Sequence, residues 1–304
     1  MAASACNGDR SVSNHKIAAA IVIYRPDLAT LSAVVAAVAP QVSWLLLLAN
    51  DGVAPSLTLP NNAELLVQNR NVGLGGGYNV AANWARANGA THLLLLDQDS
   101  VPERDMVAML REASSATACV AAAGPLWRDA RTGKTGHFVR LTRWGATKIR
   151  PTNGAIISVD FLISSGALIS LKAIDRIGPF DQLLFIEHVD TDWCLRARAM
   201  GYTLLGVANA GLDHTFGEAT LTAPLVGGGQ KLFLYPAERH YYLVRNSIVL
   251  WHRPYAPMGW VLHDVLRTVA LISWHILFAP PRWKRLKSVW RGIWDGLAAA
   301  RTRT

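Results

Sequence analysis

Short apolar runs and longer stretches of helical period alternate along the first third of the chain. Residues 17–24, 44–49 and 93–96 are runs of strand length in which nearly every side chain is apolar, and 63–68 is a shorter one. A strand apolar on both faces is buried on both faces, as in a parallel sheet covered by helices. Residues 27–39 have helical character and stop at Pro40; 75–88 predict a helix ended by Gly89; 102–114 predict a third. The alternation predicts an α/β fold with a mostly parallel, Rossmann-like sheet. The middle is richer in strands, at 120–123, 155–159 and 161–170, while the polar, glycine-containing 127–150 reads as an irregular loop. Residues 190–200 predict a helix ended by Gly201. Beyond Tyr235 the period is mostly helical, and Trp283, Leu286, Trp290, Ile293, Trp294 and Leu297 share one helical face.

Composition narrows the class. At 304 residues, 51% of them hydrophobic, the chain is one large domain or a domain with an appendage. The formal charge of +9 points to nucleic acid, anionic lipid or phosphorylated ligands. Much of the excess is local: Arg282, Lys284, Arg285, Lys287, Arg291, Arg301 and Arg303 stand against Asp295 alone. Cys6, Cys119 and Cys194 show no metal spacing and are expected as reduced thiols. The first sixteen residues do not have the pattern of a signal peptide. The longest apolar stretch, 260–279, is broken by His263, Asp264, Arg267 and His275, so no spanning helix is predicted.

The 93–96 run ends abruptly in Asp97-Gln98-Asp99-Ser100. The two carboxylates converge on one point only if the chain turns there. A strand end opening into a loop is where an open α/β sheet places its ligand crevice. Paired hard oxygens suit Mg²⁺ or Mn²⁺, and such ions bridge protein to phosphate. The alternative is a pair of turn residues after a strand, and the tripeptide alone does not separate the two.

The order of motifs is more specific. Strands end at Tyr24-Arg25-Pro26 and at Asn50-Asp51-Gly52. Then come Asn71-Val72-Gly73-Leu74-Gly75-Gly76-Gly77-Tyr78-Asn79, the acidic strand end, Ser164-Ser165-Gly166, and Asp190-Thr191-Asp192-Trp193-Cys194-Leu195-Arg196. Over about residues 17–215 this order resembles the family 2 inverting glycosyltransferases, which have the GT-A fold and use nucleotide-sugar donors. The details look most like the bacterial rhamnosyltransferase branch, which transfers L-rhamnose from dTDP-L-rhamnose in cell-surface polysaccharide assembly. The resemblance implies a GT-A catalytic domain over 14–225 and a helical C-terminal region over 226–304.

It also implies roles. The donor site would draw on Tyr24, Asn50, Asp51, Asn71, Gly73, Gly77, Asn79, Asp97 and Gln98. Asn50 stands where the family has a base-contacting Asp, a departure, although an amide can both accept from and donate to a pyrimidine. A plain turn remains the other reading of Asp51. The glycines would let backbone approach a ligand near a helix start; they fail the dinucleotide fingerprint because Tyr78 stands where its last Gly belongs. Asp99 would coordinate a divalent cation, Mg or Mn, with Asp97 on the ribose or sugar side. His214 would be a third metal ligand or else a structural His. Inversion needs a base for the acceptor hydroxyl. Asp190 takes that role, with Glu187 in reserve and Asp192 as second acid; Val189 replaces the family's Glu. Capping of the following helix is the other use of these aspartates. Ser165, Gly166 and Trp193 would face the acceptor. Arg239, Tyr241, Tyr242, Arg245 and Asn246 match a later family segment without an assigned role.

Six of the eleven Trp lie at or after Trp251. A basic helix with Trp at its apolar boundary suits an anionic bilayer surface; packing on the catalytic domain with a solvated basic face is the alternative. Acceptors in the family are often polyprenyl-diphosphate-linked glycans, so the expected setting is cytoplasmic and peripheral to the inner face of the cell membrane, with no nucleic-acid partner. Two rival readings stand beside this one. A haloacid-dehalogenase-type phosphotransferase would use Asp97 as nucleophile, and a GT-A-shaped binding protein would not catalyse at all.

Overall fold

The computed structural model of the chain describes residues 16–116, 119–129, 133–152, 154–214, 220–222 and 231–301. The chain divides into two compact units. One comprises Met1–Arg140, Lys148–Phe185 and Val189–Thr215, the other Leu141–Thr147, Ile186–His188 and Phe216–Thr304.

The first unit is built on a nine-stranded sheet. Strands β1 (Ile17–Ile23), β2 (Trp44–Ala49), β3 (Ala63–Val67) and β4 (His92–Asp97) run parallel in the order β3-β2-β1-β4, joined through helices α1 (Leu28–Val38) and α2 (Gly73–Ala87). Asp27 caps α1 by accepting from Thr30 N at 2.8 Å. Val22 lies opposite both Leu48 and Asp97, so β1, β2 and β4 end level and release Tyr24, Asn50 and Gln98 at one edge.

The second half follows as β5 (Ser100–Pro102), α3 (Met106–Ser114), β6 (Val120–Asp129), β7 (Phe138–Thr142), β8 (Gly145–Ile149), β9 (Ile156–Val159), β10 (Leu168–Ser170), α4 (Leu171–Ile177), α5 (Val189–Ala199) and β11 (Thr203–His214). Strand β10 pairs antiparallel with β4 and β6, and β11 lies parallel to β6 and antiparallel to β5 and β9. One continuous core joins Ile21, Ile23, Leu45, Leu47, Leu94 and Leu96 to the inner faces of α1 and α3.

Three local expectations change. The 127–150 stretch is not irregular throughout: β6 runs on to Asp129, and β7 and β8 form a hairpin. Of 161–170 only Leu168–Ser170 is strand. The helix placed at 102–114 begins at Met106, because Ser100–Pro102 is an edge strand on β11. Cys194 is free, and burial pushes its thiol up to about 12. Cys6 lies outside the described residues.

The second unit contains a hairpin of β12 (Thr220–Thr222) and β13 (Lys231–Phe233) and the helices α6 (Ala237–Trp251), α7 (Met258–Phe278) and α8 (Arg282–Arg301). Val244, Ile248 and Ile272 form its apolar core, flanked by Trp251, Ile276, Val289 and Ile293. Helix α7 is long and apolar enough to cross a membrane by length and composition, contrary to the reading of its interrupted sequence. Its polar face is used within the unit: Asp264 accepts from Trp251 Nε1 at 3.0 Å and from Arg267 Nη2 at 2.8 Å, and lies 3.7 Å from His188 Nε2.

Candidate active site

Strand β4 stops at Asp97, the chain turns through Gln98 and Asp99, and β5 leaves in the edge position. Pairing of β5 with β11 places His214 opposite Ser100, so a residue more than a hundred positions away reaches the acidic turn. Oxygens of Asp97 and Asp99 and a ring nitrogen of His214 all lie within 4.8 Å of one another. His214 Nδ1 is 2.5 Å from Ser100 Oγ and 3.7 Å from Asp99 Oδ1. Burial holds the imidazole below its ordinary pKa, the carboxylates of Asp99 and Asp129 opposing the shift, so the ring is neutral near pH 7 and has a lone pair to offer. Two carboxylates and a neutral imidazole are a donor set that fits Mn²⁺ or Mg²⁺. The adjoining β11 residue, Asp213, is held by Arg128 through two bonds of 2.7 and 2.9 Å.

The level strand ends form the second feature. Gln98 accepts from Tyr24 N at 2.8 Å and donates to Tyr24 O at 3.3 Å, tying β1 to the acidic turn. Asp51 accepts from Arg25 N at 2.9 Å and Val53 N at 3.2 Å. Its slight burial opposes ionisation, yet these backbone bonds hold the carboxyl below its ordinary value. Tyr24, Arg25, Asp51, Val53, Pro55 and Asn71 line an open cleft of about 630 Å³. Asn50 does not face it. Its buried amide accepts from Val72 N at 3.0 Å and donates to Asn71 Oδ1 at 2.9 Å and Gly73 O at 3.3 Å. A side chain so engaged shapes the cleft through the 71–73 turn rather than by touching a base.

The glycine run has a different use from the one its sequence implied. Helix α2 begins at Gly73, two residues before the expected start, so the glycines lie inside it. A Cβ at Gly73, where φ is +71°, would meet Phe185 O at 2.5 Å; at Gly75, Asp181 O at 2.8 Å; at Gly77, Val22 Cγ2 at 3.1 Å. They let α2 pack closely on the sheet and on the 181–185 segment. Asn79 clamps the same contact, donating to Phe180 O and accepting from Phe180 N, both at 2.9 Å. Gly77 and Asn79 are therefore packing residues, not a ligand loop.

The third feature is the 164–167 loop. Gly166 N donates to Leu95 O at 2.7 Å and Leu95 N to Ala167 O at 3.0 Å, which stitches the loop to β4. Ser165 Oγ accepts from Asp97 N at 3.2 Å, and Ser164 N donates to Asp190 Oδ2 at 3.2 Å. One loop thus fixes the backbone of Asp97 and the carboxylate of Asp190. Ser165 is buried and Gly166, at φ +83°, packs against Pro125, so both position the site rather than face an acceptor. Asp190 sits in the first turn of α5, half-buried, with Oδ1 accepting from Thr191 N at 2.7 Å. Asp192 is buried and paired with Arg196 at 2.9 Å, which commits it to structure. Trp193 is buried too, stacked on Phe180 at 5.7 Å and donating to Gly178 O, and cannot meet an acceptor. Tyr78, which belongs to the glycine-rich motif but carried no role there, donates to Ser164 Oγ at 2.9 Å. Burial pushes its phenol well above the ordinary range, and the charges of Asp97 and Asp190 push it further.

Within the second unit, Glu187 pairs with Arg239. Asn246 donates to Ile186 O at 2.6 Å and Glu187 O at 2.9 Å, while His188 Nε2 lies 3.0 Å from Ser247 Oγ. Phe185, Glu187 and His188 all have φ near +60°, a costly conformation for residues with a Cβ. Arg239 and Asn246 thereby acquire a role, bonding to that strained stretch. Arg245 lies over the rings of Tyr241 and Tyr242 at 5.6 and 5.4 Å.

No family model matches the chain. Over 259 residues it is 25% identical to the dTDP-rhamnosyl transferase RfbF of Shigella flexneri, covering 83% of this chain and 86% of that protein. Its fold is similar to that of GalNAc-T7, solved with UDP, GalNAc and Mn²⁺, with a TM-score of 0.56 and 15% identity over 86% of this chain. S. aureus TarS gives a TM-score of 0.51 and 11% identity over 87%. The chain spans about half the length of these two structures, 54% and 44%. With these likenesses the chain has the GT-A fold, unlike a haloacid-dehalogenase-type phosphotransferase, and is similar in sequence to a bacterial dTDP-rhamnosyl transferase.

Proposed function

We propose that this enzyme transfers L-rhamnose from dTDP-L-rhamnose, with inversion, to a hydroxyl of a lipid-linked glycan during cell-surface polysaccharide assembly at the cytoplasmic face of the membrane. The observation that carries the reading is the 164–167 loop, which bonds to Asp97 through Ser165 and to Asp190 through Ser164. The backbone that carries the donor-side Asp97 and the carboxylate of the acceptor-side Asp190 are thus tied to one support. Likeness to RfbF supports the choice of donor.

Asp99, Asp97 and His214 would hold the divalent cation, which when bound neutralises charge on a departing diphosphate. The exposed Tyr24 ring and Asp51 would receive the nucleoside in the open cleft. Asn71 and the buried Asn50 keep the wall of that cleft in place. Asp190 accepts the proton of the attacking hydroxyl, its Oδ2 oriented by the Ser164 N–H. Residues 14–225 form the catalytic domain in this reading and 226–304 the helical region.

The test is a screen of dTDP-, UDP- and GDP-linked sugars for hydrolysis and transfer, followed by NMR of the product's anomeric centre. A preference for dTDP-L-rhamnose with inverted configuration is expected. Preference for another donor, or a retained configuration, would overturn the corresponding part.

A further inference from the structure

We propose that the outward faces of α7 and α8 form a docking platform for an anionic lipid bilayer, with both helices lying at the surface and neither spanning it. The packing of α8 decides which side it shows. Its face toward α6 carries Gly292 and Gly296, where a Cβ would come 2.8 Å from Tyr241 O and 3.1 Å from Arg245 O. The smallest residues take the contact, so the largest are turned away from it. Trp283, Leu286, Trp290, Trp294 and Leu297 follow one another at spacings of three and four, and the three Trp are 76, 61 and 62% exposed. A soluble helix places such a stripe inward; left outside, it marks an interaction surface. Helix α7 shows a second stripe, Met258, Leu262, Leu266, Val269 and Leu277, all exposed. Both stripes run to the same connection, with Leu277 at the end of one helix and Trp283 at the start of the next.

Charge selects the occupant. Exposed Arg282, Lys284, Lys287 and Arg291 border the α8 stripe, and the single acid, Asp295, already accepts from Tyr241 at 2.8 Å. A second copy of the chain would bring these like charges together, whereas anionic headgroups neutralise them. Trp, with an apolar ring and one polar N–H, suits the headgroup boundary. Helix α7 meets the surface on one side only, because its other side holds the Asp264–Arg267 pair bonded to Trp251, and a span would carry that pair into hydrocarbon. This inference stands on exposure and charge and goes beyond the transfer reading.

The experiment is sedimentation of the full chain with phosphatidylglycerol-rich and with phosphatidylcholine vesicles, beside a Trp283→Ser/Trp290→Ser/Trp294→Ser variant and a Lys284→Gln/Lys287→Gln variant. Binding of dTDP to each protein serves as the fold control. The wild type is expected to pellet with anionic vesicles, less so as salt rises. The Trp variant should bind them roughly tenfold or more weakly, and the Lys variant about fivefold more weakly per charge removed, with dTDP binding unchanged in all three. A wild type that stays in solution, equal sedimentation of wild type and Trp variant, or self-association abolished by the Trp substitutions without vesicle binding would overturn it. Resistance of the bound wild type to release by alkaline carbonate would overturn the surface arrangement in favour of a span.

Discussion

Tyr78 donates its phenolic hydrogen to Ser164 Oγ at 2.9 Å, and Ser164 in turn donates its N–H to Asp190. The relationship makes α2 a support for Asp190, the proposed base, acting through one hydroxyl. Tyr78→Phe keeps the buried ring and its edge contact with Phe180 but leaves Ser164 Oγ short of a partner. Loss of about 1 kcal/mol of stability is expected, with transfer slowed roughly tenfold and dTDP affinity unchanged. Thermal unfolding, transfer kinetics and calorimetry check the three parts; equal losses in turnover and nucleotide affinity would assign Tyr78 to the donor side.

Asp190→Asn is nearly isosteric and cannot take a proton. Transfer should fall by roughly 10²-fold or more while donor affinity holds. Asp192→Asn should instead lower stability, since it breaks the buried pair with Arg196. Turnover near normal in Asp190→Asn would overturn its assignment as the base.

Restoring the family's acid at position 50 should harm this protein. Asn50→Asp would set a carboxylate oxygen against Asn71 Oδ1 and Gly73 O, both now paired with the Asn50 amide. A loss of about 1–3 kcal/mol in stability is expected, with weaker dTDP binding, measured by denaturant unfolding and calorimetry. Tighter nucleotide binding by the variant would show that position 50 contacts the base.

The second unit should lose stability in acid through His240. Burial lowers its pKa from 6.5 to about 4, and the neighbouring His275 and Arg285 charges add to the shift. Its Nδ1 lies 3.1 Å from Pro236 O, and its buried Nε2 lacks a hydrogen-bond partner. The unfolded chain therefore binds the proton first as pH falls below 6.5. The stabilisation is complete above that value and is lost progressively toward pH 4, amounting to roughly 3 kcal/mol at most. Helix melting followed from pH 7 to 4 should show a shallower decline in His240→Gln than in the wild type; parallel declines would exclude His240 as the cause.

The parallel half of the sheet was legible because strands buried on both faces are continuous apolar runs, and Trp44–Ala49 is bounded as its sequence implied. The acidic turn was legible because a charge pair at the end of such a run is conspicuous. What sequence could not give was which polar groups are already engaged. Asn50 reads as a base contact until its amide is found paired three times over, and Trp193 reads as an acceptor contact until it is found beneath Phe180. The glycines at 73, 75 and 77 carry the same signal for close packing as for a ligand loop, and only the positions of Phe185, Asp181 and Val22 separate the two. Strand β5 was missed because three residues without alternation carry no period, yet its pairing with β11 brings His214 to Asp99.

Calorimetric titration of dTDP into the wild type and into Asp99→Ala, each with Mn²⁺ and after its removal by chelation, probes the acidic strand end as the seat of the nucleotide diphosphate. The wild type should bind dTDP tightly with Mn²⁺ and weakly without it. Asp99→Ala should bind at the weak level in both conditions while keeping its melting temperature, since the side chain it loses is 40% exposed. Wild-type binding that is indifferent to the metal, or an Asp99→Ala variant that retains the full metal-dependent gain, would contradict the assignment of Asp97, Asp99 and His214 to the cation.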